Sequence, residues 1–128
     1  MTAGLPDNLM PIVEVDEAEF TPATYNSPDL VARSVAVMER MLGVDNVVEE
    51  EPVMGGEDFS RYGRAEPRIP IFMFNIGTVS EERIAASQRD GGTPLPSLHS
   101  SLYWPVREPS IKTGVKAMTA VALDLLGD

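Results

Sequence analysis

The chain has 128 residues, of which 43% are hydrophobic, so it is long enough for one core and too short for two. Its 20 acidic and 10 basic residues give a net charge of -10, which disfavours nucleic acid and anionic membranes as partners. It has no cysteine, which excludes disulfides, thiolate nucleophiles and cysteine metal sites. Since residues 1–6 also lack the pattern of a secretory signal, we expect one domain in the cytoplasm.

The first predicted element is a strand within residues 11–20. Ile12-Val13-Glu14-Val15 has the apolar and polar alternation of a strand with one buried face, so we expect an edge strand. A connector over residues 21–26 follows, in which Pro22 keeps the preceding residue out of helical geometry. We predict that this connector is a hinge.

The strongest helix signal begins at Ser27. This residue is a good N-cap, Pro28 suits the first helical position, and Gly43 provides a stop, so we predict a helix over residues 28–42. One apolar stripe runs along it and is expected to pack on a sheet: Val31, Val35, Met38 and Leu42.

Two further strands are predicted in the middle of the chain. Residues 46–51 form a short one, after which Gly55-Gly56 turns the chain into a brief helix from about Glu57 to Tyr62. Residues 69–77 are the most apolar run and predict a central strand covered on both faces. Pro70 cannot donate a ladder hydrogen bond, so pairing is expected from Ile71 onward.

The last third of the chain is predicted to be helical at both ends. Residues 81–90 predict a short surface helix, and Ser110 is expected to cap a terminal helix. The apolar stripe of that helix is Ile111, Val115, Met118, Ala122 and Leu125. The order of elements predicts an α/β fold with helices packed on a mostly parallel sheet.

His99 is the one histidine of the chain, and it lies in a Pro-rich loop. It is open to two interpretations: a loop histidine bonded to a neighbour, or a metal ligand of the kind that zinc prefers. Catalytic zinc usually takes three protein ligands, and no second histidine is available. A serine nucleophile among the serines that flank His99 ranks below the metal interpretation, because no nucleophile-elbow pattern is present.

Gly55-Gly56-Glu57-Asp58 is likewise open to two interpretations. It is a tight turn followed by acidic residues in the first turn of a helix, or a turn whose backbone N–H groups bind an anion such as a substrate carboxylate. In the second case Glu57 and Asp58 orient their partners and do not bind the anion.

Three motifs, taken together and in order, carry a family resemblance. They are Pro-Val-Met-Gly-Gly-Glu-Asp-Phe-Ser at 52–60, Phe-Met-Phe-Asn-Ile-Gly at 72–77 and Leu-His-Ser at 98–100. With the terminal helix that contains Gly114, they resemble the aminoacylase, hippurate hydrolase and carboxypeptidase G-like family of metallopeptidases. Residues 20–26 resemble the return from that family's lid or dimerisation domain, so the resemblance covers almost the whole chain.

The resemblance implies a fold and its boundaries. Residues 25–128 would be the C-terminal portion of a zinc-exopeptidase-like catalytic domain, a partial three-layer α/β sheet with packed helices. Residues 1–24 would be the final strand and hinge of the lid or dimerisation domain.

The resemblance also implies an activity, the hydrolysis of N-acyl amino acids and similar small amides with zinc or manganese. His99 would be the last metal ligand, and Gly55, Gly56, Glu57 and Asp58 would form the substrate side of the site. The other ligands and the general base belong to segments that would precede Met1. We therefore expect a fragment with no catalytic residue of its own, inactive alone, with weak or absent metal binding.

A second hypothesis is a non-catalytic interaction module that pairs with itself or with a separate chain through the exposed strand around Val13. An incomplete sheet leaves strand edges and apolar faces uncovered. Both hypotheses therefore predict self-association, as a homo-oligomer or by aggregation.

Overall fold

A computed structural model describes residues 4–16 and 20–127 of the protein. Its helices are α1 (Pro28–Leu42), α2 (Glu81–Ser87) and α3 (Arg107–Leu126). Three 3-10 helices lie at Asp7–Leu9, Val44–Asn46 and Asp58–Arg64. The two long helices, α1 and α3, pack on each other. Over the described ranges, no helix is long and apolar enough to cross a membrane.

The predicted α/β sheet is wrong, because no β-strand is present in residues 4–16 or 20–127. The described part of the first predicted strand lies in a loop, as do residues 69–77. Of the predicted strand at 46–51, Asn46 ends a 3-10 helix and residues 47–51 lie in a loop. Residues 17–19 of that first strand lie outside the described residues. Apolar alternation favours an extended backbone, but a strand exists only when a neighbouring backbone pairs with it. That neighbour is missing from the described residues.

Side chains replace a neighbouring strand along one edge of the apolar run. The amide of Asn26 accepts the N–H of Met73 and donates to its carbonyl, both at 2.8 Å. Ser27 donates its N–H to the carbonyl of Ile71 at 2.8 Å, and its hydroxyl accepts the Ile71 N–H at 3.1 Å. These groups satisfy the backbone of two residues without forming a ladder.

Residues 71–78, which we call the brace, run as an extended segment. Their bonds to Asn26 and Ser27 come from alternate residues, which share one edge of an extended backbone. The rings of Phe72 and Phe74, also two residues apart, stack with centroids at 5.6 Å. The apolar run is thus extended, as predicted for a strand, but it does not pair with another strand among the described residues.

The bounds predicted for α1 are confirmed. The prediction that α1 packs on a sheet is wrong. The helix ends at Leu42, and Gly43 follows with φ of 93°, a conformation that favours glycine. No side chain caps the first turn of α1, because the hydroxyl of Ser27 bonds to the brace. The helix packs on α3 and not on a sheet, through a buried stripe of Ser34, Val37 and Met38.

The face predicted for α3 is also wrong. The helix begins at Arg107, before the predicted cap, and the hydroxyl of Ser110 donates to the Val106 carbonyl at 2.5 Å. The predicted apolar stripe is exposed, with Ile111 65% and Val115 60% accessible. The less exposed face carries Ser110, Thr113, Gly114, Ala117, Ala120, Val121 and Asp124. Small side chains allow close approach, which explains why this face packs on α1 and, at Gly114, on Ile76 of the brace.

An ion pair joins the end of α3 to α1. The Arg33 Nε lies 2.6 Å from Asp124 Oδ2, and its Nη2 donates to the Asp124 carbonyl at 2.5 Å. Arg40 adds a second guanidinium at 3.6 Å from the same carboxylate. Because these groups are partly exposed, the pair contributes only about 0–1 kcal/mol and mainly fixes the helix register.

The buried core of the described residues is small. Its apolar members are Val37, Met38, Ile71 and Ala117. The accessible surface is 11090 Å², whereas a compact monomer of this mass exposes about 6,700 Å². Much apolar surface is therefore left uncovered.

Candidate functional site

Gly55 and Gly56 lie in an exposed loop that forms no hydrogen-bonded turn or bend, so the predicted sharp turn is wrong, and the 3-10 helix that follows agrees with the predicted brief helix. The name Gly-Gly turn is kept for this loop. Glu57 is the N-cap of that helix, and its Oε1 accepts the N–H of Phe59 at 3.2 Å. The N–H groups of Gly55 and Gly56 donate to no group in the part of the chain that the structure describes. The turn therefore offers two exposed backbone donors beside a carboxylate that already has a partner.

The predicted hinge packs directly against this turn. The Thr24 hydroxyl donates to the carbonyl of Glu57 at 3.5 Å. The guanidinium of Arg61 donates to the Phe20 carbonyl and lies 6.0 Å from the centroid of the Phe20 ring. Residues 20–24 thus hold both the start and the middle of the 3-10 helix.

The same 3-10 helix packs on the first residue of the brace. A Cβ added to Gly63 would lie 2.9 Å from Cδ1 of Ile71, closer than carbon atoms normally approach. A larger residue at position 63 would therefore make the Ile71 side chain shift where the helix crosses the brace.

His99 lies in a tight turn in which the N–H of Ser100 donates to the carbonyl of Ser97 at 3.0 Å. A second turn follows, closed by the bond from the Tyr103 N–H to the Ser100 carbonyl at 3.0 Å. The His99 side chain is exposed, and among residues 4–16 and 20–127 no group hydrogen-bonds to it. The structure therefore lacks the neighbour that the loop-histidine interpretation requires.

The exit of the His99 loop is anchored to the end of the brace and to α2. Thr78 shares a hydrogen bond with the Tyr103 hydroxyl, and its carbonyl accepts the Val106 N–H at 2.8 Å. Arg83 donates to the Trp104 carbonyl at 2.8 Å and lies 4.6 Å from the centroid of its ring. No periodic pattern or motif in the sequence predicts these anchors. The one available signal was the chain's single tryptophan, five residues after His99.

The Gly-Gly turn and the His99 loop are attached to opposite ends of the brace. The Gly-Gly turn is linked through Gly63 to Ile71, and the His99 loop is linked to Thr78. Residues 71 to 78 span at most about 25 Å when fully extended. In the described residues no hydrogen bond, ion pair or ring contact joins the turn to the loop directly. The brace is their common support.

The described residues do not complete a metal centre. Across residues 4–16 and 20–127, no group of three histidine, cysteine, aspartate or glutamate side chains could hold an ion. His99 offers one imidazole, whereas a catalytic zinc usually takes three protein ligands. The metal implied by the resemblance therefore does not fit these residues alone.

Comparison with known proteins gives a family match over most of the chain. The model of peptidase family M20/M25/M40 matches residues 8–102. No solved structure gives a significant match.

Three curated relatives have informative names. IAA-amino acid hydrolase ILR1-like 4 of Arabidopsis thaliana is 33% identical over 107 residues, which are 84% of this chain and 21% of the relative. Thermostable carboxypeptidase 2 of Saccharolobus solfataricus is 33% identical over 102 residues, 80% of this chain and 22% of the relative. N-acetyldiaminopimelate deacetylase of Limosilactobacillus reuteri is 31% identical over 116 residues, 91% of this chain and 25% of the relative.

The chain thus spans about a fifth to a quarter of the length of these relatives. The family is generally metal-dependent, and its members hydrolyse amide and peptide bonds. The match includes both the Gly-Gly turn and His99, and it confirms the metallopeptidase resemblance. The chain belongs to peptidase family M20/M25/M40.

Proposed function

We propose that this chain contributes one side of the active site of a metal-dependent amidohydrolase that acts on N-acyl amino acids or similar small amides. The observation that carries the proposal is the exposed imidazole of His99, which lies within the family match and has no hydrogen-bond partner in the described residues. An imidazole that is open to solvent and not engaged elsewhere is available to an ion. The names of the relatives support amides and peptides as the substrate class.

We assign the Gly-Gly turn to the substrate side. Gly55 and Gly56 have exposed N–H groups that are free to bind a substrate carboxylate. Glu57 caps the 3-10 helix that follows, since its carboxylate accepts the Phe59 N–H. Asp58 follows at the first position of the 3-10 helix, where its charge is favoured by the helix dipole.

In a completed site the metal would be zinc or manganese, and it would supply the activation of water for amide hydrolysis. In this chain His99 would be a ligand to it, and the other ligands would come from outside the described residues. We therefore expect weak or absent metal binding and no turnover by the chain alone. The proposed domain boundary stays at residues 24 and 25, where the hinge meets the turn.

We keep the cytoplasm as the proposed location, because a chain without cysteine needs no oxidising compartment.

A zinc titration followed by NMR tests the ligand role directly. With one histidine in the chain, the imidazole signals belong to His99 without ambiguity. We expect zinc to shift these signals with weak affinity, and we expect His99→Ala to remove the binding heat seen by calorimetry. A zinc response at other residues with the His99 signals unchanged would contradict the ligand role, and tight stoichiometric binding would contradict an incomplete site.

A second candidate function is an interaction module that pairs with another copy of this chain. It is favoured by the exposed apolar face of α3 and by the residues around Val13, which is 79% accessible. The surface in excess of a compact monomer is far larger than the roughly 800 Å² that each partner hides in a standard interface. A second copy could therefore cover the α3 face and still leave the candidate site open.

Self-association of the purified chain is the expected outcome. Light scattering should give a mass above 13.9 kDa that rises with concentration. Met118→Lys should lower that mass, because Met118 is 60% accessible on the apolar face of α3. Thr119→Lys is the matched control, an exposed neighbour with the same charge change. A monodisperse monomer at all concentrations would exclude the pairing.

A further inference from the structure

Trp104 is held at the surface by one arginine. Its side chain is 66% accessible, so core packing does not fix it. Arg83 places its guanidinium 4.6 Å from the ring centroid and donates to the Trp104 carbonyl at 2.8 Å. A single side chain therefore holds both the ring and the backbone of Trp104.

Arg83 is itself well placed to act as an anchor. It lies in the first turn of α2, where the Ser80 hydroxyl accepts its backbone N–H at 3.4 Å. The Ser80 carbonyl accepts the Ile84 N–H at 3.0 Å and closes the same turn. The guanidinium thus projects from a capped helix and not from a second loop.

Two consecutive turns connect this anchor to His99. The second turn ends at Tyr103, next to Trp104, and begins at Ser100, next to His99. The Ser100 hydroxyl accepts the Leu102 N–H at 3.1 Å and stiffens the turn between them. No group in the described residues hydrogen-bonds to the His99 imidazole, so these turns are what fixes the position of the backbone from which the imidazole extends.

The geometry points to Arg83 as a positioning residue for His99, which acts by holding Trp104 and thereby the turns that carry the imidazole. The inference rests on the proposed role of His99 as a metal ligand. A ligand must be held close to its productive position, and an exposed loop without an anchor samples many others. Thr78 anchors the same loop through Tyr103, so loss of Arg83 should loosen the loop without detaching it.

NMR relaxation on the full chain tests this inference, with Arg83→Ala as the variant. The backbone order parameter of His99 should fall from about 0.85 to below about 0.6. Fluorescence of the single tryptophan should shift to the red as its ring loses the guanidinium. The order parameters of α1 should stay unchanged, which distinguishes a local positioning role from a general loss of structure.

Arg89→Ala is the matched control, because it removes the same charge from an exposed arginine two residues beyond α2. It should leave both signals unchanged. Arg83→Lys keeps a cation and a donor but loses the planar fork, so its His99 order parameter should lie between those of the parent and the alanine variant. This milder variant also keeps the test decisive if Arg83→Ala does not fold.

Two results separate this inference from the proposed function. If zinc shifts other signals of the unsubstituted chain and leaves those of His99 unchanged, the proposed function fails whatever Arg83 does. If zinc shifts those signals but the order parameter of His99 is the same in the parent, Arg83→Ala and Arg83→Lys, the positioning role of Arg83 is overturned.

Discussion

Met38→Ala is expected to remove most of the stability of this chain. Met38 is 4% accessible in the α1 stripe that packs on α3, and it is one of four buried apolar residues among those described. Truncating a buried methionine typically costs about 2–5 kcal/mol, the lost transfer free energy plus a cavity. Since stable domains have only about 5–15 kcal/mol in total, and this core is small, the cooperative unfolding transition should be largely lost.

Met41→Ala is the matched control for that substitution. Met41 lies in the same helix but is 53% accessible, so its loss should change the free energy of unfolding by no more than about 0.5 kcal/mol. Urea unfolding followed by far-ultraviolet circular dichroism measures both variants. Both must be compared at one protein concentration, because self-association makes apparent stability depend on it. Equal effects of the two substitutions would contradict the described packing of α1 on α3.

His99→Ala is expected to abolish hydrolysis in a chimera that completes the site. In this chimera, the present chain replaces the matching portion of a curated relative, which supplies the remaining segments of the family. Loss of a group that merely orients a metal ligand costs about 10- to 100-fold, so loss of the ligand itself should cost more than about 100-fold. Ser101→Ala, an exposed residue of the same loop, should leave the rate unchanged.

Local signals in the sequence were sufficient for α1. Pro28 and Gly43 mark the ends of this helix within a few residues, and the helix lies where they place it. The predicted capping by the Ser27 side chain is wrong, because its hydroxyl accepts the Ile71 N–H. The short helix after the Gly-Gly turn and the surface helix that begins at Glu81 also lie where they were predicted, but the latter ends at Ser87 and not at Asp90. The family was also predictable, because its motifs are short and contiguous.

The sheet was not predictable, because strand pairing depends on residues far apart in the chain. The apolar run at 69–77 carries the signal of a buried strand, yet side chains of Asn26 and Ser27 take the place of a pairing partner. Alternation in one segment contains no information about whether a neighbour is present.

The prediction of which face of α3 is buried was wrong for a related reason. Hydropathy selects the stripe with the largest apolar side chains, here the one that contains Ile111 and Val115. Contact with α1 uses the stripe around Ala117, which is 1% accessible, because small residues allow close approach. Which stripe is buried depends on the partner helix, and the sequence of α3 alone does not specify it.

The residues of the candidate site were predictable from the sequence, but their relative positions were not. His99 and the Gly-Gly turn are visible as motifs, and their role in catalysis remains a prediction. The brace that supports both, and the hold of Arg83 on Trp104, depend on contacts between residues about twenty or more positions apart. Such contacts leave no periodic pattern in the sequence.

The most direct test of this account is the rate at which the chimera hydrolyses an N-acetyl amino acid in the presence of zinc or manganese, measured with and without His99→Ala. If this chain supplies a metal ligand to an amidohydrolase site, the chimera turns over substrate and the variant loses more than about 100-fold in rate. Turnover that is unchanged by His99→Ala would contradict the account.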